Sequence, residues 1–199
     1  MLHQLSLIPK TGDTLPQSIE IIRIPNGVAN KIVLKHHYLH RVRTGGLQLS
    51  HGVLYKGQML GCLVWASPTF HSYKGLIPPF HQKEVVELAR FWLHDDMPFN
   101  SETASLSRGI KRLRIDWLSH TGYTPKIIVS YSDLEVSHQG TIYKAANFED
   151  WGFAKSARMA DIGKDYSRNR ERWGERYTAK GLEIAPRSAS TKRMYGYHL

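Results

Sequence analysis

The run "KIIVSYSDLEVSHQGTIYKAANFEDWGF" (126–153) begins as an apolar strand and then supplies Tyr131, Asp133, His138, Tyr143 and Asn147 within seventeen residues. Polar groups gathered where a strand stops mark a candidate site, because open α/β sheets bind ligands outside the carboxyl ends of their strands. Asp133 can accept a hydrogen bond from an amine or take its proton. Tyr143 can donate a proton or bind a metal as phenolate. Between them, residues 137–141 read as a turn into a helix N-terminus, whose free N–H groups suit an anion or a carbonyl oxygen. The structural alternatives are an Asp that caps the helix and a Tyr whose ring is core.

A second cluster is "KHHYLHR" (35–41). His36 and His40 are four residues apart, the spacing that puts two imidazoles on one helical face as a metal pair. His37 and Tyr38 point elsewhere and are candidates for substrate contact. A third is the strand-like "VVELARFWLH", which holds Glu87 and Arg90. Charges in an apolar strand are costly unless paired or functional. Strict alternation puts Val85, Glu87 and Ala89 on one face and Val86, Leu88 and Arg90 on the other. Arg90 is the better functional candidate, as an anchor for phosphate or carboxylate; the plainer reading is that one of the two lies at the exposed sheet edge or in a structural ion pair.

Familiar signatures are absent: the sequence has no GxGxxG after a strand, no Walker-type loop and no HExxH. Its one cysteine, Cys62, excludes an internal disulfide and any zinc site built on paired cysteines. "IPPF" (77–80) imitates the tail of an adenine-methyltransferase motif, but Ile77 stands where that motif needs an amine-holding Asp or Asn.

These groups sit in a chain of 199 residues, 41% hydrophobic and 22% charged, long enough to bury one core. No apolar run is long enough to cross a bilayer and the start lacks a charged leader, so a soluble, cytoplasmic protein is expected. The net charge is +10, and residues 155–199 carry eleven Lys and Arg against five Asp and Glu. That bias suits a polyanion, nucleic acid first among them, and equally a merely solvated basic surface.

The elements that must position the site follow from periodicity and turn chemistry. A strand is expected at 19–24, and a helix over 25–40 with Val28, Ile32, Leu34 and Leu39 on its apolar face. A hairpin follows over 44–68 about Lys56-Gly57-Gln58, then an irregular loop over 69–82 and a strand over 84–94. A helix capped by Asn100 or Ser101 and closed by Gly122 carries Leu106, Ile110, Leu113 and Trp117 inward. A strand at 125–132, a helix from Thr141 to Gly152 and a terminal strand complete the order. The fold class is α/β (α+β), one domain with a central mixed sheet flanked by helices.

Taken together, "KHHYLHR", "ELARFWLHDDMPFNSET", "IVSYSDLEVSHQGTIYKAANFEDWG" and "TKRMYGYHL" resemble the Mom family, phage Mu-type DNA adenine modification proteins, from about residue 30 to the C-terminus. The resemblance implies a GNAT-like fold and a transferase that adds a carbamoylmethyl group to the exocyclic amine of adenine. The substrate would be double-stranded DNA in the host cytoplasm, and the purpose protection from restriction. It implies His37, Tyr38, Tyr55, Arg90, Asp133 and Tyr143 as catalytic residues. It also implies iron as a possible cofactor, with ligands drawn from His37, Tyr38, Asp133 and Tyr143.

Two observations argue against acetyl-CoA as donor. The region that should hold a glycine-rich pyrophosphate loop reads "HDDMPFNSETAS", acidic and without glycine. A thioester would also place a carbonyl carbon on the nitrogen, whereas a carbamoylmethyl group places a saturated one there. A small-molecule or carrier-bound donor is expected instead. Two alternatives remain open: a conventional GNAT acetyltransferase acting on a protein, tRNA or small amine, and an idle DNA-binding protein on that scaffold.

A flipped base would need a stacking platform, for which Tyr38, Phe70, Tyr73, Phe80 and Trp151 are candidates. Arg168, Arg170, Arg172 and Arg176, in the basic segment of about 155–199, are the expected phosphate contacts. Reversing the charge of those four should lower DNA affinity and flatten its dependence on salt, as a titration at several ionic strengths would read. Unchanged affinity and slope would remove them from the interface.

Overall fold

Lys56 and Gly57 both adopt positive φ, 50° and 78°, the twist that lets two adjacent strands fold back on each other. The hairpin they close belongs to a computed structural model that describes residues 18–68, 81–133, 138–153 and 192–199. Its strands are β2 (Gln48–Tyr55) and β3 (Gln58–Ala66). Around them stand β1 (Ile19–Ile24), α1 (Asn26–His36), β4 (Val85–Leu93), α2 (Ser101–Thr121) and β5 (Ile127–Asp133). The chain continues with α3 (Thr141–Ala145), β6 (Glu149–Phe153) and β7 (Lys192–His198).

The seven strands form one sheet in the order β1-β2-β3-β4-β5-β7-β6. Every pairing is antiparallel except β4 with β5. A parallel pair needs a crossover, and α2 supplies it. Leu106, Ile110, Leu113 and Trp117 are buried, as their spacing predicts, against Val53, Leu63, Trp65, Val86 and Ile128. The helix ends at Gly122, whose N–H bonds the Leu118 carbonyl at 2.8 Å. On the opposite face, Ala29 and Val33 of α1 pack on Cys62 and Val64. Among the described residues no helix is long and apolar enough to cross a membrane.

Three expectations are corrected. First, α1 stops at His36, because His37 is extended (ψ 138°) and His40 adopts φ 42°. Its buried face is Ala29 and Val33, while Val28, Leu34 and Leu39 are exposed. His36 and His40 therefore do not share a helical face.

Second, the helix expected to reach Gly152 ends at Ala145. Asn147 turns the chain in the left-handed region (φ 63°), and β6 returns to pair with β7. Phe148 decides this by burying its ring against Tyr143 and Tyr197, centroids 5.6 and 5.1 Å away. Third, Val64 pairs with Arg90 but the next residue, Trp65, pairs with Leu88, so Ala89 is a β-bulge. The extra residue reverses the alternation and turns Arg90 to the face of Val64, Glu87 and α1, away from Val86 and Leu88.

A buried polar chain ties α2 to the hairpin. Trp65 Nε1 donates to His51 Nδ1 at 3.0 Å, so His51 carries its proton on Nε2 and donates to Asp116 at 3.0 Å. Arg112 donates to the same carboxylate oxygen at 2.7 Å. Burial pushes His51 down to about 4, against the opposing pull of Asp116. Burial alone would raise Asp116, but the bonds from Arg112 and His51 outweigh it and leave the carboxyl below its ordinary value.

Both depressed groups act in one direction. His51 is neutral in both folded and unfolded chains above about pH 6.5, and below it the unfolded chain takes up the proton first. Stability should be full above pH 6.5 and fall as the pH drops toward 4, by on the order of 3 kcal/mol from His51 alone. Urea midpoints at pH 7 and 4.5 measure this. His51→Gln should be less stable at pH 7 and lose less on acidification; an equal loss in both proteins would refute the assignment.

Candidate active site

The parallel contact of β4 with β5 lasts only from Val85–Ile127 to Glu87–Val129. Beyond it the Ala89 bulge bends β4, and the two strands diverge. The gap between them is a cleft of about 610 Å³ that reaches both faces of the sheet. It is lined by the end of α1 with the residues after it, by 87–93 of β4, 131–133 of β5 and 138–143, and by Lys192.

Five of the six expected catalytic residues, His37, Tyr38, Arg90, Asp133 and Tyr143, line this one cleft. Tyr55 does not. It ends β2 opposite Ile19, packs on the core side and lies beneath Lys56. Trp151 is also elsewhere, in β6 against Gly196. Phe70, Tyr73, Phe80, Arg168, Arg170, Arg172 and Arg176 lie outside the described residues, as does the "IPPF" segment.

His37 is 6% exposed, and its Nδ1 accepts the Leu39 N–H at 3.2 Å. The proton therefore sits on Nε2. Burial, with Arg90, His138 and His40 nearby, pushes its pKa down to about 4, so the ring is neutral at physiological pH. Tyr38 stacks on His37, centroids 4.5 Å apart, and its centroid lies 4.6 Å from that of the tilted His138 ring. Burial and the neighbouring Asp133 carboxylate hold its phenol above the ordinary value. Burial pushes Tyr143 up to about 12, although the Ser130 hydroxyl beside it pulls the other way. Both tyrosines are hydrogen-bond donors here rather than phenolates.

Arg90 donates from Nε to the Arg41 carbonyl at 3.0 Å and from Nη1 to the bulge carbonyl of Ala89. Burial lowers its pKa without removing its charge. Glu87 is held by Arg43 at 3.2 Å, the structural ion pair that its position in the strand allowed. Trp92 and Ser132 are among the cleft residues that residue type and spacing did not single out. Trp92 stacks on His36 at 4.5 Å, and the buried Ser132 Oγ has no partner among the described residues. The signal for the serine was there: Ser130 and Ser132 interrupt an otherwise apolar strand.

As they stand, the candidate iron ligands do not form a ligand set. The His37 lone pair is spent on Leu39, and its other nitrogen keeps the proton. Tyr143 and Tyr38 are stabilised as phenols. Among the described residues no three His, Cys, Asp or Glu come together as a metal site. At the other end of the cleft, Asp95 and Glu102 line the approach to α2, where a pyrophosphate would meet repulsion.

The model of the Mom protein family matches residues 18–194. A curated relative, "Methylcarbamoylase mom" of Escherichia phage Mu, is 30% identical over 131 residues, or 65% of this chain. Those residues make up 52% of the relative, so the chain spans about half the length of the protein it matches. Among solved structures, the ribosomal L7/L12 α-N-protein acetyltransferase RimL in complex with coenzyme A superposes with TM-score 0.52 at 11% identity. It covers 94% of this chain and 97% of that one. The Salmonella typhimurium acetyltransferase that modifies the N-terminal serine of L7/L12 gives 0.50 at 10% identity, covering 92% and 96%. These likenesses concern the fold, which is that of the GNAT acetyltransferases.

Gly140 sets the floor of the cleft. It precedes α3 with φ 70°, and a Cβ there would lie 2.2 Å from the Tyr195 hydroxyl, which itself donates to the Gln139 carbonyl. Gly140→Ala combines a left-handed backbone with that clash and should cost about 1–3 kcal/mol. It should also displace Tyr143, whose ring lies 5.0 Å from that of Tyr195. Thermal unfolding and the near-UV signal of the tyrosines report both; a variant as stable as the parent would show that the 138–143 segment yields freely.

Proposed function

The chain belongs to the Mom protein family, and from that premise we propose that it is a transferase acting on adenine in double-stranded DNA. The group added is a carbamoylmethyl on the exocyclic amine, and the benefit to a phage is resistance to restriction. The observation that carries this reading is the cleft itself. A carboxylate, Asp133, faces a neutral His37 and two protonated tyrosines inside a gap open to a flipped base.

In this reading the adenine leaves the stack and enters the cleft, where it takes the place of the His138 ring against Tyr38. Asp133 accepts the proton that the amine loses as its nitrogen attacks the donor's methylene carbon, and the donor's leaving group departs from that carbon with the electron pair of the broken bond. His37 Nε2–H and the Tyr38 and Tyr143 hydroxyls donate hydrogen bonds to ring nitrogens or to a carbonyl oxygen of the donor. The Arg90 cation stabilises negative charge that develops there. The new bond is to a saturated carbon, so the donor is a small or carrier-bound molecule with an electrophilic methylene. Asp95 and Glu102 disfavour a coenzyme whose pyrophosphate must pass them.

The test is expression in bacteria, digestion of the DNA to nucleosides and mass spectrometry for a modified deoxyadenosine. Asp133→Asn should reduce it by about 10²-fold or more while the protein stays folded. Unmodified DNA from well-folded parent protein, together with acetyl-CoA binding by calorimetry, would replace this reading with that of a conventional acetyltransferase.

A further inference from the structure

The four residues after α1 form a locked knuckle at the rim of the cleft. The His40 N–H bonds the His37 carbonyl at 2.7 Å, and the Leu39 N–H bonds His37 Nδ1 at 3.2 Å. The His40 ring donates from Nδ1 to the Leu34 carbonyl at 3.0 Å. Behind the knuckle, His36 stacks on Trp92 and fixes the end of α1 to β4. A turn this constrained does not need an apolar tip, yet it holds up Leu39, 39% exposed, beside Tyr38, 43% exposed. Both line the cleft.

The chain on either side of the knuckle is basic, although Asp133 lies beside Tyr38 inside the cleft. From Ile21 to Lys83 the sequence contains no Asp or Glu, while Lys31, Lys35 and Arg41 are exposed around the knuckle. None of the three makes an ion pair with another described residue. A rigid apolar tip flanked by exposed cations suits one partner best, a nucleic acid duplex. The cations neutralise phosphates, and the apolar side chain enters the base stack.

We propose that Leu39 is a wedge that takes the place of the target adenine when the base turns into the cleft, while Lys35 and Arg41 hold the flanking phosphates. This rests on the reading of the chain as a DNA adenine-modifying enzyme. Unpairing and unstacking a base costs a few kcal/mol, and a side chain that fills the vacated space offsets part of it. Leu39 thus acts on the duplex and not on the reacting atoms, and Tyr38, one residue earlier, receives the base it displaces.

The experiment uses duplexes with a single 2-aminopurine in place of adenine, in every nearest-neighbour context, and a matched set with an abasic site opposite the probe. 2-Aminopurine brightens when it leaves the stack. Parent protein should raise the signal on both sets. Leu39→Ala should weaken flipping about tenfold on the paired set only, and Leu39→Met should restore it. Lys35→Glu with Arg41→Glu should weaken binding to both sets and reduce the salt slope by about two. Paired-set signals equal to the parent's, or equal losses on both sets, would overturn the wedge. If cells expressing the parent contain modified deoxyadenosine while Leu39→Ala flips the base as well as the parent does, only the wedge falls. If the parent neither binds DNA nor modifies it, the function falls and takes the wedge with it.

Discussion

The short life of the β4–β5 pairing governs everything else in this molecule. Three residue pairs hold the strands together, and then one extra residue, Ala89, bends β4 away. Backbone groups that a continuous sheet would have paired instead face a cleft, and side chains from both faces of the sheet reach it. Without the divergence, Arg90 would lie in the α2-side core and Asp133 would end an ordinary strand. The architecture is shared with acetyltransferases of about 10% identity because it depends on strand register and crossover rather than on particular side chains.

Within the cleft, burial sets the chemistry. His37 lies almost out of water among Arg90, His138 and His40, so a second positive charge there is unfavourable and the ring stays neutral. Tyr38 and Tyr143 keep their protons for the matching reason, since a phenolate would be poorly solvated beside Asp133 or inside the core. The result is a set of donors around one carboxylate. Such a set suits a neutral nucleophile that must lose a proton, which is the state of an adenine amine before it reacts. The buried His51–Asp116 pair obeys the same rule away from the cleft and fixes α2 on the sheet.

Charge is distributed to match. The first half of the described chain presents cations from α1 and the knuckle, and the acidic residues Asp95 and Glu102 stand at the α2 end of the cleft. In the proposed reading the cations meet a polyanion on one side, and the carboxylates oppose a pyrophosphate on the other.

Local pattern was sufficient for much of this. Lys56-Gly57 announced the hairpin, the spacing of Leu106, Ile110, Leu113 and Trp117 announced the buried face of α2, and the polar cluster after Ser130 announced the cleft. Five of the six candidate residues meet there because each lies next to an element end that the sequence marks. What the sequence could not determine depends on contacts between distant segments. The bulge at Ala89 exists only in register with β3, so alternation along β4 placed Arg90 on the wrong face. Asn147 and Phe148 read as helix until the rings of Tyr143 and Tyr197 gave Phe148 somewhere to be buried. The neutrality of His37 and the knuckle after α1 likewise follow from what packs around them. Residue type and spacing determined which groups this protein has; desolvation and strand register, properties of the assembled sheet alone, decided which way they point and which protons they keep.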